Sequence, residues 1–111
     1  SKPKTKATAI QIGKPSNIAK GLRALDFTDG IVEEVTDKEM LDGMSVVGLN
    51  GFDCEMASGA SVAGIKKLRD KEIIKKDDKV VGILTGRQKE PLLPIDYHNN
   101  PENRFARPPK I

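Results

Sequence analysis

The chain has 111 residues, enough for one small domain or for part of a larger one. Hydrophobic residues make up 37% of it and charged residues 32%, a composition typical of soluble globular proteins. The 19 basic and 16 acidic residues are interspersed, without the clustered cations and interleaved aromatics of nucleic-acid-binding proteins. No apolar run approaches the ~20 residues that a membrane span requires. We therefore expect neither a nucleic acid nor a membrane as a partner.

The single cysteine, Cys54, excludes an internal disulfide and favours a reducing, cytoplasmic setting. No base adjoins it that could activate the thiol, so we predict a small core residue rather than a nucleophile. The single histidine, His98, has no second ligand at metal-binding spacing. The sequence therefore predicts no metal site.

The N-terminal elements are predicted from polarity patterns. Residues 7–13 alternate weakly and end at a Gly-Lys-Pro turn, which indicates a short strand or extended segment. Ser16 is the predicted N-cap of a helix over residues 17–25. The apolar face of that helix comprises Ile18, Leu22 and Leu25.

The middle of the chain carries a strand pattern followed by a helix pattern. The run GIVEEVT, which begins at Gly30, predicts a second strand. Thr36 followed by Glu39 fits a capping box at the start of a helix over residues 38–49. Gly51 is expected to end that helix.

The last third predicts a helix, a turn and a buried strand. Residues 58–71 have helical spacing, and an Asp-Asp pair at 77–78 marks a turn. Residues 79–84 form a continuous β-branched run, as expected for a strand covered on both faces. Residues 91–111 are rich in proline and are predicted to be irregular. Strands separated by helices predict an α/β fold with a parallel sheet, and so few strands suggest part of a larger domain.

Thr85 and Gly86 follow directly after the predicted buried strand. In open α/β sheets, ligands bind in the crevice beyond the carboxyl ends of the strands. The Thr85 hydroxyl could form a hydrogen bond there, and Gly86 would let the backbone approach a ligand closely. The alternative is that Thr85 only closes a turn.

The second candidate stretch, EMASGASVAG, begins at Glu55 and carries small residues at the start of a helix. Exposed backbone N–H groups at such a position suit an anion or the polar edge of a ring. Close packing of the helix on a neighbour explains the small residues equally well.

Taken together, these stretches resemble a known family. The runs ATAIQIGKPSNIAKGLRAL, GIVEEVTDKEML, NGFDCEMASGASVAGIKKL, VVGILTGRQKEP and IDYHNNPENRFARPP resemble, in this order, segments of the threonine synthases. The resemblance covers almost the whole chain with near-family spacing. Five ordered matches are far more specific than any single motif.

The resemblance implies the C-terminal part of a pyridoxal-phosphate enzyme of the tryptophan synthase β-like fold (fold type II), a three-layer α/β/α domain. Such an enzyme converts O-phospho-L-homoserine and water to L-threonine and phosphate. Residues 1–90 would belong to the large cofactor-binding domain, which is incomplete here, and residues 91–111 to a C-terminal tail. The fragment alone is expected to be inactive, and a homo-oligomer stays an open alternative.

The resemblance also implies site residues. Thr85 matches the family threonine that hydrogen-bonds the pyridine nitrogen of pyridoxal 5'-phosphate; Gly86 adjoins it, and Glu55 is a weaker cofactor-binding candidate. The lysine that binds the cofactor covalently and the glycine-rich phosphate loop precede this segment in family order, so no catalytic residue is assigned. The alternatives are a threonine/serine dehydratase of the same fold and a non-catalytic α/β binding module.

The chain departs from the family pattern at three places. Met56 replaces a proline, Gly59 replaces an alanine, and the loop from Arg87 to Pro91 is one residue shorter. That loop borders the cofactor in the family, so its change leaves the local geometry open.

Overall fold

The computed structural model describes residues 2–87. A short 3-10 turn at Thr8–Ile10 is followed by three helices, α1 (Ile18–Thr28), α2 (Asp37–Leu49) and α3 (Met56–Asp70). The predicted tail at residues 91–111, including His98, lies outside the described residues. None of the helices in the described part combines the length and apolar character needed to cross a membrane.

The predicted strands are not formed in the part of the chain that the structure describes, so the described residues do not confirm an α/β fold. Residues 7–13 contain the 3-10 turn, and residues 30–35 and 79–84 have no regular secondary structure. The described residues do not cover both faces of the last segment, because Val81 is 88% and Ile83 69% exposed. A strand depends on hydrogen bonds to a neighbouring strand, and the described residues supply none.

Helix α1 begins one residue later than predicted and ends three residues later than predicted. Its N-cap is Asn17, without a side-chain capping bond, rather than Ser16. Asp29 adopts a left-handed conformation with φ of 52°, and the Gly30 N–H donates to the Leu25 carbonyl at 2.8 Å, which closes the helix. Within the described residues α1 packs against neither α2 nor α3, and Leu22 on its apolar face is 60% exposed.

The predicted capping box at the start of α2 is confirmed. The Glu39 N–H donates to the Thr36 hydroxyl at 3.2 Å, and the Thr36 N–H donates to the Glu39 carboxylate at 2.6 Å. That backbone donor holds the pKa of Glu39 below its ordinary value. Gly51 follows the helix with φ of +84°, a conformation that suits glycine, and the helix ends before it as the sequence predicts.

Helices α2 and α3 cross at two glycines. A Cβ built on Gly43 would collide with the Gly59 carbonyl oxygen, and one built on Gly59 would collide with the Met40 carbonyl oxygen. The side chains buried at or beside this crossing include Met40, Val47 and Ala63. The α2–α3 interface is therefore the core of the described structure.

The N-terminal segment is tied to the start of α2. The Thr5 hydroxyl and the Lys6 N–H both donate to the Asp37 carboxylate, the latter at 2.8 Å. These donors, the Thr5 hydroxyl foremost, lower the pKa of Asp37. Ala7 is 2% exposed, so the segment adds to the core.

Two lysines near the end of α3 hold residues 30–35. Lys71 Nζ lies 2.5 Å from the Glu33 carboxylate, and Lys67 Nζ donates to the Glu34 carbonyl at 2.8 Å. The Lys71 hydrogen bond lowers the pKa of Glu33. These side chains are in contact with solvent, so they orient the segment more than they stabilise it.

We expect Gly43→Ala to destabilise the chain by about 1–3 kcal/mol, because its methyl group would meet backbone atoms that cannot rotate away. The matched control is Gly64→Ala in α3, where a Cβ meets no atom within 4 Å and alanine should favour the helix by about 0.5–1 kcal/mol. Urea unfolding followed by circular dichroism measures both. Equal effects of the two variants would contradict the close crossing.

Cys54 is predicted to react slowly with thiol reagents in the folded chain. It is 2% exposed, and burial, followed by the nearby Asp53 and Glu55 charges, raises the pKa of its thiol. A raised pKa leaves less thiolate at any given pH, and the thiolate is the reacting form. Labelling with DTNB at pH 8 should be roughly tenfold slower or more than in urea. Equal native and denatured rates would show that the thiol is accessible.

Candidate functional site

The Ser58 hydroxyl joins the first turn of α3 to the segment that carries the predicted site. Ser58 is 1% exposed. Its Oγ accepts the N–H of Thr85 at 2.9 Å and the N–H of Gly86 at 3.1 Å. The Thr85 hydroxyl lies 3.2 Å from the same oxygen. One buried side chain therefore fixes both residues.

Glu55, the N-cap of α3, makes a second set of contacts with the same segment. Its N–H donates to the Gly86 carbonyl at 3.0 Å, and its carboxylate accepts from the Thr85 hydroxyl at 3.4 Å. A Cβ built on Gly86 would lie 2.5 Å from the carboxylate Oε1. The absence of a side chain at Gly86 therefore leaves room for the Glu55 carboxylate.

Residues 79–87 run back along α3 toward its N-terminus. A Cβ built on Gly82 would lie 2.9 Å from Cδ1 of Ile65 in the middle of α3, whereas Gly86 lies beside Glu55 at its start. The next residue, Arg87, forms an exposed ion pair of 3.5 Å with Asp53, which precedes α3 in the chain. The segment is thus antiparallel to the helix, and its end lies at the N-terminus of α3.

The three residues singled out from the sequence lie together. Thr85, Gly86 and Glu55 contact one another through the hydrogen bonds described above, although they come from two separate stretches. Sequence reasoning missed Ser58. The available signal was a serine in the first turn of a helix otherwise lined by alanine and glycine, but its partners lie 27 and 28 residues away.

The charges at this end of α3 favour a neutral polar ligand over an anion. The Glu55 carboxylate already lies near the helix N-terminus, where the helix dipole favours negative charge. A second anion would meet that carboxylate at short range. The Thr85 side chain supplies an exposed hydroxyl, which can donate to a ring nitrogen or another uncharged acceptor. Within residues 2–87, no three His, Cys, Asp or Glu side chains are grouped to hold a metal.

Comparison with known proteins places this geometry in context. Residues 1–86 match the profile of the pyridoxal-phosphate dependent enzymes. The chain is 45% identical over 101 residues to a threonine synthase of Methanosarcina acetivorans, covering 89% of this chain and 25% of that protein. It is 42% identical over 85 residues to a threonine synthase of Methanocaldococcus jannaschii, covering 76% of this chain and 21% of that protein.

A plant relative matches over a longer stretch. Identity with the chloroplastic threonine synthase 2 of Arabidopsis thaliana is 34% over 110 residues, covering 95% of this chain and 21% of that protein. The chain thus spans about a quarter of the length of these relatives. Because the family profile matches more than half of its residues, the chain belongs to the pyridoxal-phosphate dependent enzyme family.

Proposed function

We propose that this chain is a C-terminal segment of a threonine synthase that converts O-phospho-L-homoserine and water to L-threonine and phosphate. The observation that carries the proposal is the 45% identity over 101 residues to the Methanosarcina acetivorans threonine synthase. Residues 1–90 would complete a large cofactor-binding domain, and residues 91–111 would form its tail. The remaining parts of the active site would come from outside these 111 residues.

The path of residues 79–87 supports an α/β fold for the complete domain. In a βαβ unit, the strand after a helix runs back antiparallel to that helix, and this segment does so along α3. Its exposed valines and isoleucine would be covered once neighbouring strands and helices pack on both sides. Apolar residues of α1, such as Ile18 at 54% exposure, also need cover from elsewhere.

The residues present fit one end of pyridoxal 5'-phosphate. Thr85 offers a hydroxyl whose contact with Glu55, at 3.4 Å, is long for a hydrogen bond, so a ligand acceptor placed at ordinary hydrogen-bond distance would compete for its proton. A pyridine nitrogen is such an acceptor. When bound, the cofactor supplies the electron sink for the reaction. No residue in this segment matches the family lysine or its phosphate loop, so the segment would hold only the ring-nitrogen edge.

Three residues would contribute to binding the ring-nitrogen edge of the cofactor. Thr85 would donate a neutral hydrogen bond, which leaves the ring nitrogen largely unprotonated and moderates its electron withdrawal. Gly86 would keep the chain close to α3 by admitting the Glu55 carboxylate. Glu55 would hold the Gly86 carbonyl through its own N–H. A dehydratase of the same fold is distinguished by its product, a 2-oxo acid rather than threonine.

The isolated 111-residue chain is expected not to capture pyridoxal 5'-phosphate covalently, because it lacks a lysine in the family context. The test is borohydride reduction of the chain mixed with the cofactor, followed by peptide mass spectrometry. Scattered, substoichiometric labelling is the expected result. Stoichiometric labelling of one specific lysine would overturn this expectation.

In the full-length enzyme, Thr85→Val should keep the fold but lower kcat by roughly 5- to 150-fold, because a buried acceptor left unpaired costs about 1–3 kcal/mol. Thr85→Asp should instead favour a protonated ring and increase 2-oxo acid formation relative to threonine. The matched control is Thr28→Val, since the Thr28 hydroxyl donates to the Ala24 carbonyl within α1. A wild-type kcat and product ratio in both Thr85 variants would show that Thr85 has no role in the reaction and only closes a turn.

A further inference from the structure

The Ser58 hydroxyl has a fixed hydrogen-bonding capacity. A serine hydroxyl has one proton to donate and two lone pairs to accept with. The N–H groups of Thr85 and Gly86, at 2.9 and 3.1 Å, occupy both lone pairs. A backbone N–H can only donate, so the direction of these two bonds is certain. Ser58 therefore has no acceptor capacity left.

If a hydrogen bond joins the two hydroxyls, only Ser58 can donate it. Ser58 Oγ and Thr85 Oγ1 are 3.2 Å apart, and Thr85 cannot donate to an oxygen whose lone pairs are occupied. The Ser58 proton goes either to Thr85 Oγ1 or to the Gly86 carbonyl, which is 3.4 Å away. In both cases the proton of the Thr85 hydroxyl is turned away from Ser58.

Burial makes this arrangement persistent. Ser58 is 1% exposed, so water does not compete for its lone pairs. On its other side, the Thr85 hydroxyl meets only the long 3.4 Å contact with Glu55 among its hydrogen bonds within the described residues. The Thr85 hydroxyl is thereby left as a donor, and within the described residues its proton is directed to the Glu55 carboxylate by this long contact.

We infer that Ser58 is a positioning residue that makes Thr85 an obligatory hydrogen-bond donor toward a bound ring nitrogen. This inference rests on the proposed function and extends it by one residue. Ser58 would act on the cofactor through Thr85, because its occupied lone pairs cannot accept the Thr85 proton and because it fixes two backbone N–H groups. Without the Ser58 hydroxyl, the Thr85 hydroxyl would keep only its long 3.4 Å contact with Glu55 among the hydrogen bonds of the described residues.

The test uses the full-length holoenzyme loaded with pyridoxal 5'-phosphate that carries nitrogen-15 in the ring. Nuclear magnetic resonance then reports the hydrogen bond at the ring nitrogen directly, without turnover. Thr85→Val should shift the nitrogen resonance toward that of an unbonded ring, and Ser58→Ala should shift it in the same direction. Cofactor affinity should weaken by roughly 2- to 13-fold in Ser58→Ala, the factor that one net hydrogen bond represents.

A double-mutant cycle separates positioning from a purely structural role. If Ser58 acts through Thr85, adding Ser58→Ala to Thr85→Val should leave the nitrogen resonance where Thr85→Val alone puts it. Ser45→Ala is the matched control, because Ser45 is a half-buried helical serine whose hydroxyl donates to the Leu41 carbonyl in α2. If Ser58→Ala does not fold, Ser58→Cys, which keeps the size and only weak hydrogen bonding, takes its place.

The outcomes distinguish the two proposals. An unchanged resonance in Ser58→Ala beside a shifted one in Thr85→Val overturns the inference and leaves the proposed function standing. An unchanged resonance in Thr85→Val overturns the assignment of Thr85 and the inference with it. Additive shifts in the double variant also overturn the inference, because they show that Ser58 acts independently of Thr85.

Discussion

The close crossing of α2 and α3 is the contact on which the described structure depends. Gly43 and Gly59 bring backbone against backbone, so the two helices meet along their main chains rather than through long side chains. This places the first turn of α3, including Ser58, at the edge of the buried region. The candidate site is thus built on a helix whose position is set by the crossing, which suits the proposed role of orienting the Thr85 hydroxyl.

Local features of the structure could be predicted from the sequence because they depend on residues close together in the chain. The capping box of Thr36 and Glu39 spans three residues and forms as expected. The end of α2 shortly before Gly51 and the body of α3 follow from the same kind of short-range rule. The N-cap of α1 is Asn17 rather than the predicted Ser16, and it makes no side-chain capping bond, so capping preference does not decide where this helix begins.

Features that need distant partners could not be predicted in this way. The run at residues 79–84 has strand-forming composition, yet the described residues contain no strand to pair with it. The sequence indicated Thr85, Gly86 and Glu55, because motifs mark them, but it did not indicate that Ser58 connects them. The role of a buried hydroxyl depends on which N–H groups reach it, and only the three-dimensional structure shows that.

The return of residues 79–87 along α3 has a consequence for the entropy cost of folding. The Ser58 contacts join residues only 27 and 28 positions apart, and α3 fills much of the interval. Once the helix has formed, only residues 71–84 remain to be closed as a loop, so less entropy is lost than in closing the whole interval. The contacts around Thr85 therefore join two parts of one short stretch of chain, and their loop-closure cost does not depend on more distant parts of a domain.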